Sequence, residues 1–351
     1  CTAEVTVVAP ADPGFEAIDS ALGRRVVRVR SLGGRTRRGF LPGLALAAVR
    51  EARRRRPDVV LAGHVLAAPG GVWLRRRGIP LVVATYGVEL VAPRTRRVAA
   101  WALRRADRVL AVSRFTMDAA VALGTDPARG TVVGVGAPEP RDVAPERLAA
   151  LRARFGLNGS RVLLTVARLE PHKGIDVVAR ALPSLPGDVR YMVVGDGSAR
   201  GQFHQAARAA GVEDRVVFAG ALSDEDLAAG YRLADVFVLA SRSLDGGRRG
   251  VEGCPVSLLE AAAYGLPIVA ARTGGIADAV RDGHTGTLVD PENIPDVAAA
   301  LNRALDPTVA KPLAAAAEKA AKTERNWSAV VERVQELLAD AAGIRALNPA
   351  S

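Results

Sequence analysis

Short apolar runs of strand type alternate with helix-patterned stretches from one end of this 351-residue chain to the other. In the first part VTVVAP, RVVRVR, DVVLAG, PLVVAT and RVLAVS read as strands, with helical patterns near Phe40–Arg56, Gly70–Arg77, Ala92–Arg105 and Arg114–Leu123. In the second part RVLLTVAR, RYMVVGDG, RVVFAG, DVFVLA, PIVAA and TGTLVD read as strands separated by helical stretches. Continuous apolar runs joined by helices are the mark of parallel sheets covered on both faces. Between the two series lies GVGAPEPRDVAPERL, rich in Gly and Pro, which reads as a linker. A single core stops growing at roughly 250–300 residues, so length also asks for two domains. The fold class expected is α/β, with two doubly wound domains facing a cleft. The boundaries expected are residues 1–140, 141–325, and a carboxy-terminal helix over 326–351 that returns to the first domain. The chain opens directly on a strand, so the first domain is expected to lack its first βα unit.

Composition excludes several classes. No run reaches the about 18 apolar residues of a membrane span. The start, CTAEVTVVAP, lacks the basic-then-apolar layout of a secretory signal. Two cysteines, Cys1 and Cys254, make neither a disulfide framework nor a metal spacing. A cytoplasmic protein, at most peripheral on the inner membrane face, is the expectation. Charge is uneven. Residues 1–150 hold 25 Arg, no Lys and 13 Asp or Glu, net +12, whereas the remainder is net −1. That asymmetry points to an anionic partner such as a membrane surface, or to compositional bias toward Arg. Val98, Trp101 and Ala102 share one helical face flanked by Arg94, Arg96, Arg97, Arg104 and Arg105. This helix either lies on anionic lipid with Trp101 inserted or packs Trp101 into the core. The Arg-rich stretches Arg53–Arg56 and Arg75–Arg77 have no interleaved aromatics, so nucleic acid is not expected.

In open α/β sheets ligands bind beyond the carboxyl ends of the strands. RVLLTVAR ends in Arg168, and five positions on Lys173-Gly174 stand before a helix. A rigid guanidinium fork and a point charge at one strand end suit a diphosphate, although two surface cations would look the same. In VEGCPVSLLEAAAYGLPIVAAR, Pro255 suits a helix first turn, Gly265 its far end, and Glu252 precedes the helix that carries Glu260. The amides around Cys254–Ser257 would form an anion site. One carboxylate could face a sugar and the other a ribose; alternatively Glu252 complements the helix dipole and Glu260 is solvated.

Together these segments resemble the retaining family 4 glycosyltransferases of the GT-B fold, with two Rossmann-like domains. VARLEPHKGIDVV, VVGDGSAR, VVFAGAL, LADVFVLASR, VEGCPVSLLEAAAYGLPIVAARTGG and GHTGTLVD stand in the family's order. The loop SRSLDGGRRGVEG also resembles mannosyltransferases acting on phosphatidylinositol. The resemblance implies Arg168 and Lys173 at the donor diphosphate, Glu260 at the ribose, and Glu252 at the donor sugar. It implies Gly253, Cys254, Pro255 and Val256 at sugar hydroxyls and phosphate, Gly195 and Gly197 near the base, and Gly274-Gly275 in a further loop of the site. PLVVATYGVEL resembles a family strand carrying T-H-G-x-E, which makes Tyr86 and Glu89 acceptor-side candidates, with Tyr86 in place of the His. The family's early Gly-Gly loop has no counterpart, since Gly33-Gly34 and Gly70-Gly71 come too late and read as turns or helix starts.

The implied activity is metal-independent transfer of a hexose, mannose favoured, from a GDP-sugar or UDP-sugar to a lipid-linked or other polar acceptor. No cofactor is implied beyond the donor. An epimerase on the same architecture, or a donor-binding protein with degraded catalysis, stand as alternatives. Asp224-Glu225-Asp226 reads as a helix start capped by Ser223 rather than a metal signature. His64, His172, His204 and His284 have no ligand spacing.

Overall fold

A computed structural model describes residues 4–11, 15–22, 24–29, 41–246 and 250–344. Gly33-Gly34 and the centre of the SRSLDGGRRGVEG loop, residues 247–249, lie outside them, as do Cys1 and residues 345–351. The chain divides into two compact units: one comprises residues 1–111, 117–132 and 334–351, the other 112–116 and 133–333. The change from first to second unit thus falls at 132/133, short of the expected 140.

The first unit holds β1 (Thr6–Pro10) and β2 (Arg25–Val29), paired in parallel. It also holds β3 (Val60–Ala62), β4 (Leu81–Thr85), β5 (Arg108–Ala111) and β6 (Gly130–Val132), a four-stranded parallel sheet in chain order. Every residue of β4 is buried, as its unbroken apolar run requires. Its core gathers Leu81, Val83, Val109, Leu90, Ala99, Ala102 and Leu103. Trp101 packs partly buried against that core, beneath the Arg105 guanidinium, 5.1 Å from the ring centroid. Of the two placements open to Trp101, the structure takes the core one: Ala99, Ala102 and Leu103 turn the helix Pro93–Leu103 inward, and Trp101 packs partly buried beside them.

The second unit is a six-stranded parallel sheet. Its strands are β7 (Arg161–Val166), β8 (Val189–Val194), β9 (Val216–Gly220), β10 (Val236–Leu239), β11 (Ile268–Ala271) and β12 (Thr287–Val289). Their order across the sheet is β12-β11-β10-β7-β8-β9. Alternate residues feed two cores, because successive strand side chains point to opposite faces. Val162, Leu164, Met192, Phe237 and Leu239 enter one core, and Leu163, Tyr191, Val193, Val236 and Val238 the other. The chain winds outward from β7 to β9, then returns to β10 beside β7 and winds the other way. The reversal lies between β7 and β10, where a doubly wound sheet opens a crevice for ligands. Among the described residues no helix is long and apolar enough to cross a membrane.

Candidate active site

The loops that leave β7 and β10 carry the charged residues singled out in the sequence. After β7 the chain passes Arg168, forms a short 3₁₀ turn over Pro171–Lys173, and enters the helix Ile175–Ala181 through Gly174. Gly174 has φ +68°, and a Cβ there would lie 1.8 Å from the Ala240 carbonyl oxygen. Only glycine lets the two loops approach so closely. After β10 come Ala240, Ser241 and Arg242, whose amide donates to the His172 carbonyl at 2.7 Å. Arg242 also holds both oxygens of Asp176, at 2.8 and 2.9 Å, which ties the β10 loop to the helix after β7.

That junction places Glu252 beside Lys173. Glu252 is buried, and its Oε1 accepts from Lys173 Nζ at 2.6 Å and from Ser241 Oγ at 2.9 Å. The His172 ring is also buried, with Nε2 3.9 Å from the same oxygen. Burial holds His172 below its ordinary 6.5, against the opposing pull of the Glu252 charge, so the ring is neutral near pH 7. Gly250, at φ +146°, packs on that ring, and a Cβ there would sit 2.4 Å from Nδ1. From the other side the loop after β11 closes on the Glu252 backbone: the Gly275 amide donates to the Glu252 carbonyl at 2.7 Å. A Cβ on Gly275 would meet the Gly253 oxygen at 1.6 Å, and one on Gly274 the Glu252 oxygen at 2.5 Å. Three strand-end loops thus fix one carboxylate.

The helix Val256–Ala263 follows at once. Pro255 is its N-cap and supplies no side-chain bond; the Leu258 amide donates to the Pro255 carbonyl at 3.2 Å, which leaves the Val256 and Ser257 amides uncapped. Gly253 and Pro255 are buried, Cys254 is half-buried, and Val256 is 43% exposed at the helix start. Burial pushes the Cys254 thiol up to about 11, so it is a neutral wall group. The helix ends as expected: Gly265 at φ +70° donates to the Ala262 carbonyl and Leu266 to that of Ala261. Glu260 is half-buried rather than solvated, and its Oε2 accepts from the Tyr231 hydroxyl at 2.5 Å.

The Arg168 side chain is 79% exposed, and its guanidinium lies 3.9 Å from Glu170. Gly195 and Gly197 serve the packing of the β8 loop on the β7 loop. A Cβ on Gly195 would lie 2.0 Å from the Ala167 oxygen, and one on Gly197 2.6 Å from that of Leu169. In the first unit Tyr86 follows β4 and is 48% exposed. Burial of the remainder and the Glu89 charge raise its phenol above 10.0, so it stays protonated. Glu89 is buried, and its Oε1 accepts from the Tyr86 amide at 2.5 Å, capping its own turn.

The other candidates take structural roles. Ser223 Oγ accepts from the Asp226 amide at 3.2 Å, and Asp224 and Asp226 pair with Arg141, Arg147 and Arg154. His64 caps a short turn through Nδ1, and the His204 ring packs tilted against Phe218. Among the described residues no group of three or more His, Cys, Asp or Glu could hold a metal. Sequence reasoning did not single out Ser241 or Tyr231, and gave His172 no role.

The match to known proteins follows this layout. The family description "Glycosyl transferases group 1" matches residues 149–324 and "Glycosyltransferase Family 4" matches residues 2–138. The chain belongs to glycosyltransferase family 4. It is 34% identical to the GDP-mannose-dependent alpha-(1-6)-phosphatidylinositol monomannoside mannosyltransferase of Mycolicibacterium smegmatis, over 96% of this chain and 90% of that one. It is 35% identical to a D-inositol 3-phosphate glycosyltransferase of a Mycobacterium species (strain KMS), over 62% of this chain and 48% of that one. Among solved structures, Anabaena Alr3699/HepE in complex with UDP and glucose superposes with a TM-score of 0.80 at 23% identity, over 95% of this chain and 91% of that one. WaaG, a glycosyltransferase involved in lipopolysaccharide biosynthesis, gives 0.69 at 18%, over 95% and 99%. At those identities the likeness speaks for the fold, which is GT-B. This family 4 enzyme is a nucleotide-sugar-dependent glycosyltransferase.

Proposed function

We propose that the enzyme transfers mannose from GDP-mannose, with retention of anomeric configuration, to a lipid-linked acceptor. The observation that carries the proposal is the Lys173–Glu252 pair at the β7/β10 reversal, largely buried and 2.6 Å long, with the exposed Arg168 fork on the same β7 loop, 3.9 Å from Glu170. Arg168, Lys173 and the first-turn amides of Val256–Ala263 would hold the diphosphate, where negative charge grows as the sugar C1–O bond breaks. Glu252, released from Lys173 as the phosphate takes that cation, would orient the sugar and stabilise positive character at C1. The acceptor oxygen then bonds to C1 on the face the diphosphate leaves, and its proton passes to the departing phosphate oxygen. Glu260 would hold the ribose, and Tyr86 would contact the acceptor. The relative that uses GDP-mannose supports that donor over UDP-sugars, and the phosphatidylinositol monomannoside in its name supports a lipid acceptor.

A lipid acceptor also gives the basic first unit a purpose. Trp73 lies between the guanidinium groups of Arg53 and Arg77, 5.2 and 3.9 Å from its ring centroid. Arg53, Arg56, Arg76 and Arg77 are exposed and have no acidic partner among the described residues. This surface, not the helix bearing Trp101, would meet anionic lipid, each cation adding about 1 kcal/mol near the surface. Co-sedimentation with phosphatidylglycerol vesicles tests it. Binding at low salt, lost in the quadruple Arg→Ala variant, is expected; equal binding by both proteins rejects the surface. The transfer itself is tested by incubation with GDP-mannose, UDP-glucose and an inositol phospholipid. Mannolipid formed from GDP-mannose is expected; glucolipid from UDP-glucose alone would overturn the donor assignment.

A further inference from the structure

We infer that Tyr231 is a positioning residue for the nucleotide ribose, holding one oxygen of Glu260 so that the other is presented to the sugar hydroxyls. The inference rests on the reading of Glu260 as the ribose-binding carboxylate. Tyr231 lies on the helix Asp224–Leu233, 29 positions before Glu260, and only the fold brings them together. Its hydroxyl donates to Glu260 Oε2 at 2.5 Å. No other side-chain hydrogen bond or ion pair reaches the Glu260 carboxylate among the described residues, so Oε1 is uncommitted on a half-buried side chain.

The donor is held as firmly as the carboxylate. Tyr231 is buried and stacks on Tyr264, with centroids 5.1 Å apart and planes at 11°, and on Phe237 at 6.0 Å and 26°. Tyr264 is fixed in turn: its hydroxyl accepts from the Arg141 amide at 3.0 Å and Arg232 lies over its ring. Burial, with the Glu260 charge adding to it, keeps the Tyr231 phenol well above its ordinary 10.0. The phenol therefore remains a donor at any working pH, and Oε2 remains an acceptor that cannot turn to the ligand. A side chain with two rotatable oxygens becomes a one-sided hydrogen-bond acceptor of fixed direction, suited to a vicinal diol.

Tyr231→Phe removes the donor and keeps the stack. Calorimetric titration with GDP, UDP and their 2′,3′-dideoxy counterparts separates the outcomes, because only the ribose hydroxyls should notice the change. Wild type is expected to prefer the ribonucleotide by at least about tenfold, as a bond to a charged group allows. In Tyr231→Phe that preference should shrink by roughly fivefold or more, with dideoxynucleotide affinity unchanged. If Tyr231→Phe does not fold, Tyr231→Met fills the ring's place without a donor and carries the same expectation. A wild-type preference that survives unaltered in the variant overturns the role of Tyr231 and leaves the ribose reading of Glu260 standing. No preference in wild type overturns both.

Discussion

Replacing either member of the Lys173–Glu252 pair should have opposite consequences for nucleotide binding. The two side chains are 14% and 8% exposed and 2.6 Å apart. Removing one partner of such a pair leaves an uncompensated buried charge, at a cost of about 3–5 kcal/mol. Ser241 still donates to Glu252 when Lys173 is lost, which places Lys173→Ala near the lower end, about 3 kcal/mol. Glu252→Gln strands Lys173 instead, and a diphosphate can answer that cation. Urea unfolding followed by circular dichroism, with and without GDP, reads both effects. Lys173→Ala should be less stable and bind GDP at least about tenfold more weakly. Glu252→Gln should also be less stable, yet bind GDP as well as wild type or better, and GDP should restore more stability to it than to wild type. Its turnover should fall by about a hundredfold or more, since the sugar loses its carboxylate. Equal loss of GDP affinity in the two variants would refute competition between Glu252 and the diphosphate for Lys173.

Three further outcomes follow from the same geometry. Arg168→Ala, a change at an exposed side chain, should weaken GDP and UDP binding by about tenfold without moving the unfolding midpoint; unchanged affinity in calorimetry would remove Arg168 from the diphosphate site. Gly174→Ala forces a Cβ onto the Ala240 carbonyl at φ +68°, so a loss of about 2 kcal/mol or more is expected, with activity falling as Lys173 is displaced; wild-type stability by urea unfolding would contradict the contact. His172 has a lowered folded-state pKa, so the folded state binds fewer protons than the unfolded one just below pH 6.5. Its contribution is therefore intact above that pH and lost as pH falls through the folded value; His172→Gln should flatten stability in that window, and an unchanged acid limb would refute it.

The second unit was legible because its strands are buried on both faces and so appear as unbroken apolar runs. The helix Val256–Ala263 was legible from Pro255 and Gly265, whose backbone needs are local. Strand β6 was missed because Gly130–Val132 is short and largely exposed, which leaves no apolar run to read. The helix Phe15–Leu22 was likewise not singled out. Arg168, Lys173, Glu252 and Glu260 stood out by spacing within a segment, but their partners did not. Ser241 and Tyr231 meet the glutamates only through the winding of the sheet, and His172 looked like any histidine after a strand. Trp101 and Glu89 show how far a local pattern leaves a side chain's surroundings open. An aromatic flanked by Arg fits lipid or core equally in sequence, and packing against the first unit's core takes Trp101; Glu89 also caps the Tyr86 amide, a bond that only the turn after β4 creates.

The anomeric configuration of the transferred sugar tests the proposed chemistry most directly. Proton NMR of the product formed from GDP-mannose and phosphatidylinositol monomannoside vesicles should show a new α-mannosyl linkage, formed by wild type and nearly absent with Glu252→Gln. A β-linked product, or release of free mannose and GDP with no glycolipid formed, would contradict retentive transfer at the Lys173–Glu252 site.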